Sequence, residues 1–433
     1  MRNEPYYITA KELADLGKDN IPNELITQNH LVYSSPATLA FNSPGAQGFG
    51  VKRAGLAIPG SVMLLVAPGC CGRNTTILSE LGGYSDRFFY LLMDETDIIT
   101  GRHLNHIPQA VVEVCQALDK KPSVVMICIT CVDALLGTDM ERVCKKATDA
   151  AGVPVLPCYM YALTREGRKP PMVHVRQSIY SLLEPMEKEA STVNILGHFA
   201  PLIDDCELYD ILKSVGIKKI NEISRLKSFD EYKDMAKANF NIVVNPEARL
   251  AADDIQKRLS IPSIELTRLY QIDKIRNQYR LFGQALGIKI DDEKYYVEAK
   301  TAIEDYIEKY KDKSVAIGEC SNANPFELAF ALISYGIKVT EIYGTLNAED
   351  FIYVKKIANE SPDTRIYTNL SPTMIHYNCG NLNADITIGM DAGYYNANSN
   401  NLSWNQEIQP FGYAGVRKLF TSLKDMLDRE GDN

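Results

Sequence analysis

Two hydrophobic rhythms alternate along the chain. Segments with apolar residues every three or four positions end at a Gly or Ser, and a run of consecutive apolar residues then follows. The pairing recurs in KKATDAAGVPVLPC, LYDILKSVGIKKI, DIQKRLSIPSIEL, LFGQALGIKI and LAFALISYGIKVTEI. The first rhythm predicts amphipathic helices, and the second predicts strands covered on both faces. Gly152, Gly216, Gly287 and Gly336 fit the left-handed position that closes a helix, where glycine meets no Cβ clash. SVMLLVAP (61–68), SVVMICI (123–129), TVNILG (192–197), FNIVV (240–244) and SVAIG (314–318) read as strands. Repetition of helix, Gly and strand implies an α/β fold with parallel sheets. Charged stretches before fresh strands, EPMEKEASTV near 190 and EDYIEKYKDKSV near 310, suggest three Rossmann-like domains: 1–190, 191–310, and 311–433 with a C-terminal helix. The Asn-rich YYNANSNNLSWNQ (394–406) is expected to be a loop, with no role derived for Trp404.

Composition narrows the function. The chain has 433 residues, 45% hydrophobic and 23% charged, with a net charge of −9. That is a globular composition without a Lys/Arg-dense face, so a nucleic-acid partner is not expected. The polar start, MRNEPYYITAKELADLG, has no apolar signal core, and no run approaches a membrane span. A cytoplasmic protein is therefore expected, in which ten cysteines are not a disulfide framework.

The cysteines fall in two kinds of place. SVMLLVAP runs into GCCGRNTTILSEL, which puts Cys70 and Cys71 in the loop between a strand and a helix. SVVMICIT runs into Cys131 and a helix pattern of Val132, Leu135, Leu136, Met140, Val143 and Ala147. Loops after parallel strands open on one edge of a sheet, where ligands gather, and the following helix N-termini favour thiolates. Three readings stand for these thiols: core packing, a thiol–disulfide pair, or metal or iron–sulfur ligation. Cys128 lies inside the strand run and reads mainly as packing. Cys115, Cys144, Cys158, Cys206, Cys320 and Cys379 read as core residues.

APGCCGRNT together with TCVDALLGTDMERV resembles the nitrogenase component 1 superfamily. Its members include molybdenum–iron protein subunits, dark-operative protochlorophyllide reductase subunits and the nickel-tetrapyrrole reductive cyclase. In that family a Pro-x-Gly-Cys loop, and a Cys before an apolar-apolar-Gly-x-Asp helix start, bind an iron–sulfur cluster. Cys70 matches the first with a spacing shorter by one residue. Cys131 matches the second, with Leu135, Leu136, Gly137 and Asp139 in register. The doubled Cys70–Cys71 is most similar to the reductive-cyclase branch. MDETDIITGRHL, ANFNIVVNPEARLAADDIQKRLSIPSIEL and QPFGYAGVRKLF also resemble family blocks.

The resemblance implies an oxidoreductase component that receives low-potential electrons from an ATP-dependent, nitrogenase reductase-like iron–sulfur partner. Cys70, Cys71 and Cys131 would bind the cluster, with Cys128 as a further metal ligand. The family's first cluster cysteine has no counterpart in NSPGAQGFG. One chain thus offers too few thiolates, which implies a 4Fe–4S cluster shared between two chains of a homodimer or of a heterodimer with a paralogous subunit. Nitrogenases hold their active-site cofactor by one Cys and one His. The Cys position falls at or near Asn245, and NLSWNQEIQP contains no His, so the implied substrate is a small molecule other than dinitrogen, a tetrapyrrole among the candidates. A non-catalytic scaffold for metallocofactor assembly carries the same resemblance. His103, His174, His198 and His376 are further site candidates, and GECSNANPF (318–326) offers substrate contacts or a helix cap at Pro325. Asp94, Glu95 or a His could supply protons.

Overall fold

The computed structural model describes residues 4–25, 33, 35–38, 50–129, 136–159, 169–377 and 384–431. The chain forms two compact units, one of Phe49–Pro201 and Gly216–Thr267, the other of Met1–Gly48, Leu202–Val215 and Arg268–Asn433.

The first of these holds two four-stranded sheets, parallel throughout. One runs Phe88–Leu92, Ser61–Ala67, Val124–Ile129, Val155–Tyr159, and the other Lys219–Glu222, Glu189–Leu196, Ala238–Val243, Ser263–Glu265. Strands Ser61–Ala67 and Val124–Ile129 are buried at every position, as their unbroken apolar runs require. Alternation along them divides the core. Met63, Leu65, Ala67, Met126 and Cys128 belong to one cluster, which includes Val175 and Ile179 of helix Pro171–Tyr180 and continues into the second sheet through Leu196 and Val243. Val62, Leu64, Val66, Val125, Ile127 and Ile129 form the other cluster with helices His103–Ala117 and Met140–Ala151.

The remaining unit carries a six-stranded sheet in the order Ile8–Thr9, Arg365–Tyr367, Val339–Tyr343, Val315–Gly318, Ile386–Ile388, Asn400–Leu402. All its pairings are parallel except that of Ile8–Thr9. The charged helix Glu293–Tyr310 turns Ala299, Ile303 and Tyr306 inward and packs along helix Gly412–Gly431.

Two elements differ from the sequence pattern. Of the helix pattern expected from Val132 to Ala147, residues 132–135 lie outside the described residues; Gly137 lies at φ +66°, and Asp139 caps helix Met140–Ala151 by accepting from the Arg142 N–H. The Asn-rich segment is not all loop, because Asn400–Leu402 pairs with Ile386–Ile388 as an edge strand. Trp404 is buried after it at φ +38°, with Nε1 donating to the Tyr270 hydroxyl at 2.7 Å. Among the described residues no helix is long and apolar enough to cross a membrane.

Candidate functional site

Strands Ser61–Ala67 and Val124–Ile129 are adjacent and parallel, with Val66 opposite Ile129, so their carboxyl ends open on one edge. Cys70 is exposed there, in the first turn of helix Gly69–Leu81. Pro68 leads into that turn, its carbonyl accepting from the N–H groups of Cys71 and Gly72. The helix dipole favours anionic groups at this end. Cys71 is half-buried, packed against the core, with its sulfur 4.0 Å from that of Cys70. Gly72 follows because the Tyr90 ring covers it: a Cβ there would lie 2.1 Å from the ring. Tyr90 is anchored by its hydroxyl, which donates to the Ala67 carbonyl at 2.9 Å.

Beneath this turn, Thr75 donates to the Cys71 carbonyl and accepts from Lys52 Nζ, both at 2.6 Å. Burial lowers the Lys52 ammonium pKa, while the sulfurs of Cys128, Cys71 and Cys158 act in the opposite direction. Cys128 is fully buried and stands opposite Cys158 on the next strand. Its hydrogen bond with Cys128, and then burial, push the Cys158 thiol well up. Cys144, Cys206 and Cys320 are buried and Cys115 is half-buried. Burial pushes the Cys144 thiol up to about 12. Cys131 and Cys379 lie outside the described residues.

Cys70 and Cys71 are thiol donors of the kind an iron–sulfur cluster takes, and they number fewer than the four that a cubane requires. Among the described residues no group of three or more His, Cys, Asp or Glu is arranged to hold a metal ion. A cluster at this edge would need ligands from beyond the described residues or from a second chain.

The acidic segment after Phe88–Leu92 is committed locally. Asp94 and Asp97 form a capping box for helix Glu95–Thr100, and Arg102 pairs with both. The hydrogen bond from Arg102 holds Asp97 below the usual carboxylate range. His103 is buried with Nδ1 3.0 Å from the Asp97 carbonyl. His174 packs edge-on against Tyr159.

At the carboxyl edge of the second sheet, Gly197 sits at φ +144°, and a Cβ there would come within 2.7 Å of the Asn245 nitrogen. Buried Arg176 ties this edge together. It donates to the carbonyls of Gly197 and Met172, each at 2.8 Å, and pairs with Glu247 at 2.7 Å. The Asn245 side chain accepts from the Glu247 N–H and so caps its own turn.

The third sheet places an acid pair that the sequence reading missed. Asp391 lies after strand Ile386–Ile388, and Glu319 follows Val315–Gly318. One Asn369 amide donates to both carboxyls at 2.8 Å. Burial, then the Asp391 charge, push Glu319 up to about 7. The signal was present, since both apolar runs end in a Gly with an acid one or two residues later. Asn324 caps helix Pro325–Ser334, accepting from the N–H groups of Phe326 and Glu327.

Comparison with known proteins adds family and fold. A protein-family model described as "Nitrogenase component 1 type Oxidoreductase" matches residues 46–427. Among the curated relatives are proteins named "Nitrogenase iron-molybdenum cofactor biosynthesis protein NifE". The Nostoc sp. protein is 25% identical over 51% of this chain and 46% of its own length. That of Sinorhizobium fredii is 24% identical over 76% and 70%, and that of Klebsiella pneumoniae 27% over 53% and 50%. The chain thus spans about half the length of most of these relatives. A solved structure described as "Nitrogenase Cp1 at pH 6.5" matches with a TM-score of 0.70 at 17% identity, covering 95% of this chain and 96% of that one. At that identity the match shows the fold.

Proposed function

The chain belongs to the nitrogenase component 1 type oxidoreductases, and on that premise we propose that it is the cluster-bearing component of a two-protein reductase. In this reading it takes low-potential electrons from an ATP-dependent iron–sulfur partner and delivers them to a small molecule other than dinitrogen. The observation that carries it is Cys70, exposed in the first turn of a helix beside the strand that runs on towards Cys131. Cys70 and Cys131 would hold a 4Fe–4S cluster between two chains, with Cys71 as a further ligand; the bound cluster supplies a one-electron carrier. Tyr90 and Gly72 fix the turn that aims Cys70 outward, and Lys52 places a positive charge behind it. Asn245, at or near the position of the family's cofactor cysteine, argues against a nitrogenase-type cofactor, and a cyclic tetrapyrrole is the substrate class to test first.

A second reading is favoured by the names of the curated relatives, which are cofactor biosynthesis proteins. In it the chain is a scaffold on which a metallocofactor is built and handed on. Turnover separates the two. The reductase consumes electrons from a reduced partner and ATP in proportion to tetrapyrrole reduced. The scaffold instead loses iron to an acceptor protein, with no such consumption.

A further inference from the structure

Five tyrosine rings form an unbroken series in the unit that contains the six-stranded sheet. Tyr7 is 5.5 Å from Tyr367 between ring centroids, Tyr367 is 5.3 Å from Tyr343, Tyr343 is 5.0 Å from Tyr395, and Tyr395 is 5.4 Å from Tyr394. The two central steps are stacked, with interplanar angles of 24° and 25°. Tyr367, Tyr343 and Tyr395 are buried, whereas Tyr7 is 43% and Tyr394 48% exposed. The series therefore begins and ends in solvent and is enclosed between.

Packing alone does not explain phenols here. A buried hydroxyl must find a partner, and phenylalanine would fill the same volume without that requirement. The hydroxyls of Tyr343 and Tyr367, joined by that of Tyr377, converge on Glu341, a carboxylate buried within its strand, while that of Tyr395 meets the Ser35 hydroxyl at 2.7 Å. Glu341 accepts from Tyr343 at 2.5 Å, from Tyr377 at 3.0 Å and from Tyr367 at 3.4 Å. Asn396 Nδ2 donates to the Tyr343 oxygen at 2.9 Å. A tyrosine that loses an electron becomes a strong acid, so its oxidation is easiest where a base already holds the phenol proton. Tyr343, at the middle of the series, has that base in a short charge-assisted hydrogen bond.

We propose that the series Tyr7–Tyr367–Tyr343–Tyr395–Tyr394 conducts one-electron oxidising equivalents through this unit, with Glu341 taking the phenol proton at its centre. The oxidant is of the oxygen-derived radical class and acts at one exposed end. An electron leaves Tyr394 for the oxidant, and each ring in turn is re-reduced by the next. Tyr343 passes its proton to Glu341 as it is oxidised and recovers it when Tyr367 re-reduces it. The net result is one oxidant reduced by one electron, Tyr7 converted to its neutral phenoxyl radical, and one proton released to water. This relay is independent of the iron–sulfur reading.

The test uses the full chain carrying a ruthenium tris-bipyridine photosensitiser on an azide-bearing residue at position 390. Met390 is exposed and lies one helical turn before Tyr394. A cobalt(III) ammine accepts the excited-state electron, and the ruthenium(III) left behind oxidises the chain. A nitroso spin trap with peptide mass spectrometry then locates the radicals. The expected result is adducts on both Tyr394 and Tyr7, with loss of the Tyr7 adduct and retention of the Tyr394 adduct in Tyr367→Phe, which removes the phenol that faces Tyr7. Tyr377 stands 4.9 Å from Tyr395 and 5.6 Å from Tyr367 and so offers a route around Tyr343. The double variant Tyr343→Phe, Tyr377→Phe closes both routes, gives the same loss and serves if the first variant fails to fold. An absent Tyr7 adduct in the parent chain, or one undiminished in a folded variant, overturns the proposal.

Discussion

Replacing Cys128 by alanine separates packing from ligation at the strand end. Cys128 has no exposed surface and packs among Met63, Leu65, Met126 and Cys158. Removing its sulfur forfeits the burial of one methylene-sized group, about 0.8 kcal/mol. A residual void of roughly 25 Å³ adds about 0.6 kcal/mol at the usual cavity cost. The folded state should therefore lose about 1.4 kcal/mol, read as a lower urea midpoint of the iron-free chain with an unchanged slope. Iron bound under anaerobic conditions should stay at the parent level. Cys70→Ala should behave oppositely: its side chain is exposed, so stability should shift by no more than about 0.5 kcal/mol while bound iron is lost. Iron lost from Cys128→Ala without a change in urea midpoint would show that Cys128 ligates and that the packing argument is wrong.

Three further outcomes follow from buried polar groups. Glu207 accepts from the Tyr279 hydroxyl at 2.6 Å and from the N–H groups of Tyr413 and Ala414 at 2.7 and 3.0 Å, so Glu207→Ala should cost about 3–5 kcal/mol of stability by thermal or urea unfolding. A loss under 1 kcal/mol would contradict that anchoring role. Burial pushes Glu327 up to about 7. Its proton is bound more tightly in the folded state, so its stabilisation is full below the unfolded value near 4.3 and is lost as pH rises through about 7. This group should make stability fall by about 3 kcal/mol over that window, and Glu327→Gln should flatten the profile of urea midpoint against pH. Arg176→Met should cost about 2–4 kcal/mol by stripping the Gly197 and Met172 carbonyls of their donor, with bound iron unchanged; iron loss would place the second-sheet edge in the cluster site.

The α/β class was legible because buried parallel strands leave unbroken apolar runs, as at Ser61–Ala67 and Val124–Ile129. The edge carrying Cys70 was legible for the same reason, since parallel pairing brings the carboxyl ends of two such runs together. The loop expected at Cys70 and Cys71 is instead the first turn of helix Gly69–Leu81. Periodicity failed where one residue overrode it. The apolar spacing passes through Gly137 unbroken, yet its backbone is left-handed and helix Met140–Ala151 starts only after the Asp139 cap. Long-range contacts were equally invisible. Trp404 is drawn inside by a hydroxyl at position 270, and Cys128 meets Cys158 only because their strands are neighbours. Helix Glu207–Ser214 belongs to the same unit as Arg268–Asn433, and Glu207 joins them through Tyr279 and Tyr413. No local pattern announces such a contact.

The central claim is a 4Fe–4S cluster shared between two chains through Cys70 and its neighbours at one sheet edge. Native mass spectrometry of the anaerobically purified chain, with iron and acid-labile sulfide assayed on the same sample, tests it most directly. The account predicts a two-chain species carrying about four irons and four sulfides, with a paramagnetic resonance signal in the reduced state. It also predicts that Cys70→Ala abolishes the cluster mass and leaves the chain folded. A two-chain species without iron, or a full cluster mass in Cys70→Ala, would contradict it.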